Sequence, residues 1–199
     1  MGNSRSLLLG LVVWACVGLV VGMSGLLERL PRPALQLIIV GVTLVLLLIA
    51  FVPSRFGRIG AGLAALPLRA LLAVHLTRFV GFYFLYLHGH GRLPEDFAVR
   101  GGWGDIIAAS LAALLILLNP DVQASGGRLR PLLVLWNLFG LADILMVIFY
   151  AARNGLRDPA SMVELTRVPL CLLPTMVVPL ILATHVLIFV RLARSAGRG

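Results

Sequence analysis

Residues 131–151 read PLLVLWNLFGLADILMVIFYA, a run of 21 residues that carries one formal charge, Asp143, and one amide, Asn137. At about 1.5 Å of rise per residue such a run is long enough to cross a hydrocarbon core about 30 Å thick. Its apolar residues are continuous, whereas barrel strands alternate over about ten residues. A spanning helix is therefore predicted. A charge within one is costly, so Asp143 marks either a site or an internal polar clasp.

The rest of the chain has the same character. With 60% apolar and 13% charged residues among 199, and a mean hydropathy of +1.01, it lacks the polar residues for a soluble surface. The fold class predicted is all-α, a single polytopic membrane bundle over residues 1–199. Six spans are read: Leu7 to Leu27, Leu35 to Val52, Pro67 to Leu87, Trp103 to Leu118, Pro131 to Ala151, and Val168 to Val190. The fourth is short, bounded by Gly102-Trp103-Gly104-Asp105 and Asn119-Pro120, and reads as thin, tilted or partly inserted. The sixth contains Pro169, Pro174 and Pro179, which should kink it or delay a regular helix until past Pro179. The first follows a lone Arg5, but no small-x-small pattern closes it, so it reads as an uncleaved anchor. Trp14 is too bulky for a lipoprotein box before Cys16. Cys16 and Cys171 both fall inside apolar runs, which points to neither a disulfide framework nor a redox pair.

Arginine supplies every cationic side chain, since lysine is absent. With the N-terminus inside, the cytoplasmic set is Arg5, Arg55, Arg58, Arg69, Arg128, Arg130, Arg191, Arg194 and Arg198. The opposite side holds Arg29, Arg32, Arg92, Arg100, Arg153, Arg157 and Arg167, with Glu28, Glu95, Asp96, Asp158 and Glu164. This bias places both termini in the cytoplasm and the protein in the cytoplasmic (inner) membrane. The net charge of +9 is then attracted to anionic lipid headgroups, and no basic patch interleaved with aromatics points to nucleic acid. Phosphate-loop, dinucleotide, nucleophile-elbow and zinc-protease motifs are missing, so an enzymatic reading has no motif behind it.

The polar residues inside the spans are His75, Arg78, Asp105, Asn137, Asp143 and His185. His75 lies six residues past Arg69, and His185 six residues before Arg191, on antiparallel spans. Each imidazole is thus ~9 Å from the same membrane face, and Asn137, seven residues beyond Arg130, is at ~10 Å. Arg78 is one turn from His75 on the same face, and Asp143 is within reach of a long guanidinium. One reading makes His75 and His185 axial ligands of a b-type haem, with Arg78 on a propionate. A plainer reading has these side chains satisfy one another as a clasp. A third makes them a transport or ligand site. Between spans three and four, His88-Gly89-His90 followed by Glu95 and Asp96 is a weak metal signal, because a metal requires three or four converging ligands and only geometry shows convergence; the plainer reading is a hydrated loop. Trp103, Tyr83 and Tyr86 suit an interfacial aromatic belt. Asp105, read at the start of span four, fits a helix cap. Gly140, between Asn137 and Asp143, lets a neighbouring helix approach closely.

Several of these residues form a pattern: Arg78-x-x-Gly81-x-x-Phe84-Leu85, Gly91-x-Leu93-Pro94-x-x-Phe97-Ala98, Gly102-Trp103-Gly104-Asp105, Trp136-Asn137-x-x-Gly140-x-x-Asp143, then Pro179-Leu180 and His185. It resembles a family of uncharacterised multi-pass bacterial membrane proteins, over spans three to six. The resemblance implies that Arg78, Asp105, Asn137, Asp143 and His185 share one site or clasp, and carries no activity across. The leading functional expectation is binding or transport of a small molecule within the membrane, with Arg78 and Asp143 as gate or counter-ion. The contrasting classes are a small haem cytochrome exchanging electrons with quinone, and a non-catalytic subunit or scaffold of a homo-oligomer or membrane complex.

Overall fold

The computed structural model describes residues 2–30, 34–52, 62, 65–118 and 129–196, with side chains from 8 to 194 of these. Arg32, Arg55, Arg58, Arg128 and Arg198, the side chain of Arg5, and the Asn119-Pro120 boundary lie outside the described residues. Those described form helices joined by short turns, with no strand among them, in the order α1 (Gly2–Met23), α2 (Leu26–Arg29), α3 (Ala34–Phe51), α4 (Leu68–Val74), a 3₁₀ segment (His75–Val80), α5 (Gly81–Gly89), α6 (Glu95–Leu117), α7 (Arg130–Arg157), a 3₁₀ segment (Pro159–Thr166), a π turn (Leu173–Val177) and α8 (Val178–Ala196). Among the described residues, five helical stretches are long and apolar enough to cross a membrane: Ala34–Phe51, Leu68–Gly89, Glu95–Leu117, Arg130–Arg157 and Leu173–Arg194; the apolar part of α1, Leu8–Met23, is shorter.

The chain divides into two compact units. The first comprises Met1–Leu66 and Gly155–Ala183. Here α1 lies against the segment after Arg167, and its small residues decide how closely. A Cβ on Gly22 would fall on Cys171 Sγ, and one on Gly18 would stand 2.9 Å from Leu172 Cδ2. Cys171 is buried there and its thiol donates to the Gly18 carbonyl at 3.7 Å. The prolines explain the irregular stretch. Pro179 has no N–H for the carbonyl four residues back, at Thr175. Trp14 Nε1 donates to that carbonyl instead, at 3.1 Å. Regular helix begins at Val178, one residue before Pro179 rather than past it, after the π turn that contains Pro174. At the surface of this unit Arg167 Nε donates to Glu28 Oε1 at 2.8 Å, and that contact raises the arginine's pKa above its ordinary value.

The second unit, Pro67–Asn154 with Thr184–Gly199, contains the polar residues singled out above. α6 is its centre. Gly101, Gly102, Asp105, Ala108, Ala109 and Ala112 recur at helical spacing and are all buried. The backbone crossing is close: a Cβ on Gly81 would overlap the Gly102 carbonyl, and one on Gly102 would lie 3.0 Å from the Gly81 carbonyl oxygen. Phe84 and Phe97 pack at a tilt beside the crossing with centroids 5.1 Å apart, and Trp136 Nε1 donates to the Ala108 carbonyl at 3.0 Å. Facing outward are apolar side chains such as Phe82 on α5 and Leu135, Leu145 and Phe149 on α7.

Two sequence expectations change here. α6 begins at Glu95 rather than Trp103, so it has 23 residues, long enough to cross a membrane. Pro94 precedes it, and Glu95 and Asp96 sit in its first turn, where the helix dipole favours acids. Asp96 also accepts from Arg153 Nη1 at 2.9 Å and Asn154 Nδ2 at 2.8 Å, tying this end of α6 to the end of α7. Glycines that read as a helix boundary are instead contact points inside the helix. Asp105 consequently lies ten residues into α6 and caps nothing.

Candidate functional site: a buried charge cluster on three helical segments

Arg78 belongs to the 3₁₀ segment, in which residues three apart eclipse, so it shares a face with His75. Both side chains are fully buried. The guanidinium uses its fork in three directions. Nε donates to Asp105 Oδ1 at 2.7 Å, Nη1 donates to the Gly140 carbonyl at 3.0 Å, and Nη2 donates to Asp143 Oδ2. Asp105 and Asp143 are 3% and 6% exposed, so the ion pairs lie out of water on both sides. Glycine makes the geometry sterically feasible: a Cβ on Gly104 would fall on the Asp143 carboxyl, and one on Gly140 would lie 3.3 Å from Arg78 Nη1. In Gly102-Trp103-Gly104-Asp105, then, one glycine admits the neighbouring backbone, the next admits the Asp143 carboxylate, and the aspartate holds Arg78. Trp103 itself is 54% exposed and takes no part.

Next to the ion pairs is a second network, built on the two histidines. His185, on α8, is fully buried. Asn137 holds it twice: Asn137 Nδ2 donates to the His185 carbonyl at 3.0 Å, and Asn137 Oδ1 is 2.7 Å from His185 Nδ1. His75 Nε2 is 3.1 Å from Thr184 Oγ1. The imidazoles meet edge to face with centroids 4.4 Å apart, and Trp136 closes the third side at 4.8 Å from His75 and 5.7 Å from His185. Two ring nitrogens in this packing, His75 Nδ1 and His185 Nε2, have no hydrogen-bond partner. Gly140 joins the two networks, since its Cβ position is 2.8 Å from His185 Cε1 and 3.3 Å from His185 Nε2, as well as adjoining Arg78.

All five residues of the expected cluster, His75, Arg78, Asn137, Asp143 and His185, come together, and Asp105 joins them as a direct partner of Arg78. The two imidazoles are in direct contact. Trp136, Thr184 and Gly104 were not assigned to the cluster from sequence. Thr184 had no signal beyond its place beside His185, and Trp136 and Gly104 stood within the quoted pattern.

The haem reading fails on the spacing of the rings. Axial ligation from both sides, at about 2 Å per nitrogen, sets imidazole centroids roughly 6 Å apart with the macrocycle between them. Rings in edge contact at 4.4 Å, with Trp136 against both, leave no layer for it. His88 and His90 do not converge on a ligand either: His88 Nδ1 is 3.1 Å from the Leu93 carbonyl and His90 Nδ1 is 2.8 Å from the Tyr86 carbonyl, so both rings close the turn that follows α5. Among the described residues, no three His, Cys, Asp or Glu side chains group as a metal ion would need.

The fold and cluster define a class: an all-helical protein with five long apolar helices and a buried arginine shared by two aspartates. The chain belongs to the DUF8737 family, a domain of unknown function, whose match covers residues 32–193. No curated protein and no solved structure matches it.

Proposed function

We propose that this protein is an integral membrane protein of about six spans, in the cytoplasmic membrane of a bacterium with both termini inside, and that it binds or transports a small molecule at the Arg78–Asp105–Asp143 cluster. The long apolar helices and their outward-facing leucines and phenylalanines support the membrane assignment. One observation carries the functional part: a single buried guanidinium is shared by two buried carboxyl groups. A clasp that served only to hold helices would be served by one pair, because a balanced pair has the lower desolvation cost. The second carboxyl group leaves an excess of acceptors and of negative charge at the cluster, which suits a ligand with a cationic or hydrogen-donating group.

The test is a thermal-stability screen of the detergent-purified protein against small amines, amino acids, sugars and alkali cations, run in parallel on Asp143→Asn. A compound that stabilises the wild type in a saturable way, and the variant much less, is the expected result. Equal stabilisation of both proteins by every active compound would place binding elsewhere and sink the proposal.

A further inference from the structure

With both carboxyl groups ionised, Arg78, Asp105 and Asp143 sum to one net negative charge. Among the described residues, Arg78 is the cation that pairs with the two carboxyl groups, which α6 and α7 contribute; His185 of α8 adjoins Arg78 at Gly140, and His75 of the 3₁₀ segment touches His185. A net charge shut away from water is expensive. One proton removes it. Arg78 engages Asp105 Oδ1 and Asp143 Oδ2, so the second oxygen of either carboxyl group can carry that proton without loss of an ion-pair bond.

Independently, His185 has an unpartnered ring nitrogen beside Gly140, which also adjoins Arg78. The His185 carbonyl only accepts, so the donor it meets, Asn137 Nδ2, fixes the orientation of the amide. Asn137 Oδ1 therefore faces His185 Nδ1, and because an amide oxygen only accepts, Nδ1 carries the ring hydrogen. The lone pair of the neutral ring is then at Nε2, which is fully buried and has no hydrogen-bond partner. Nε2 and Arg78 Nη1 are each 3.3 Å from the Cβ position of Gly140, so this acceptor borders the charge cluster.

We propose that Arg78, Asp105, Asp143 and His185 form a proton-binding site that holds one exchangeable proton per chain, to which binding or movement of the small molecule is coupled. The inference rests on the cluster being a working site. Its proton balance is simple. When the carboxyl O–H breaks, the electron pair stays on oxygen as carboxylate, and the proton forms an N–H bond at His185 Nε2 or leaves to water as a cationic group of the ligand takes its place. Charge at the cluster is conserved in the exchange with a cationic ligand.

Infrared difference spectroscopy of the full-length purified chain, between mildly acid and mildly alkaline buffer, reads the site directly. The protein is prepared with ordinary aspartate and with aspartate carrying ¹³C in the side-chain carboxyl. The expected result is a carboxylic-acid C=O band that shifts with the label and in heavy water, and that is lost in Asp105→Asn or Asp143→Asn. Absence of any label-sensitive band in the wild type overturns the inference with no variant needing to fold. A band that persists in both variants, each verified as monodisperse, belongs to another aspartate and overturns it as well. The band is read with no ligand present. Its loss from the account therefore leaves the binding proposal to its own screen, and failure of the screen leaves the band intact.

Discussion

Because two acids share one arginine, the three side chains should differ sharply in what their removal costs. Arg78→Met deletes hydrogen bonds to Asp105, Gly140 and Asp143 and leaves two buried carboxyl groups facing each other. Leaving a buried charge without its partner costs about 3–5 kcal/mol, and with a second buried carboxyl group also losing its donor a loss of ~5 kcal/mol is expected. Asp143→Asn is a milder change. The amide oxygen can still accept from Nη2, and Arg78 remains balanced one to one by Asp105. The cost reduces to the difference between a charge-assisted and a neutral hydrogen bond, about 1–2 kcal/mol. The expected gap of ~3 kcal/mol corresponds to more than a hundredfold in the unfolding equilibrium. Sodium dodecyl sulfate titration of the protein in mixed micelles, followed by fluorescence of Trp136 and the other tryptophans, measures both. In the double variant the cost should fall well short of the sum of the singles. Equal losses for Arg78→Met and Asp143→Asn, or strict additivity in the double variant, would refute the shared-arginine reasoning.

Three further outcomes follow from the packing. Gly104→Ala drives a methyl group onto the Asp143 carboxyl and should destabilise by about 3–5 kcal/mol, as loss of the ion pair would, whereas Gly41→Ala, with open space around its Cβ, should be near neutral in the same titration. Gly140→Ala places its Cβ 2.8 Å from His185 Cε1 and should cost about 1–3 kcal/mol by overpacking, with Asn137→Ala then adding less than it does alone. Single cysteines at Ser54, which lies outside the described residues, and at Ser161 should label from the cytoplasmic and the opposite side respectively in intact cells; labelling of both from one side would break the six-span topology.

Much of the site could be read from one-dimensional spacing, and the part that could not has a definite cause. Depth along a helix follows from residue count, which is how His75, Asn137 and His185 came to be placed in one layer. Rotation about the helix axis depends on what packs against it. Edge contact of the imidazoles, rather than opposition across a gap, is a property of the packed unit, and it decides against haem. Glycine misled in the other direction. Gly102-Trp103-Gly104-Asp105 reads as the start of a helix with Asp105 as a cap, although glycine's low helix propensity does not bar it from a helix interior. Close approach of α5 and of the Asp143 carboxyl outweighs that propensity, and the true start was marked by Pro94-Glu95-Asp96. For the last helix the prolines were a sound guide, because a missing N–H has a local consequence at a known carbonyl.

The central claim is that the Arg78–Asp105–Asp143 cluster holds a small molecule. The most direct measurement is mass spectrometry of the small molecules released on denaturing the wild-type protein, purified from native membranes in mild detergent, alongside Asp143→Asn purified identically. The account predicts a species present in the wild type at near one per chain and reduced about tenfold or more in the variant, the change expected for ~1.4 kcal/mol or more of lost binding energy. The same compounds in the same amounts from both folded proteins would contradict it and leave the cluster as a clasp.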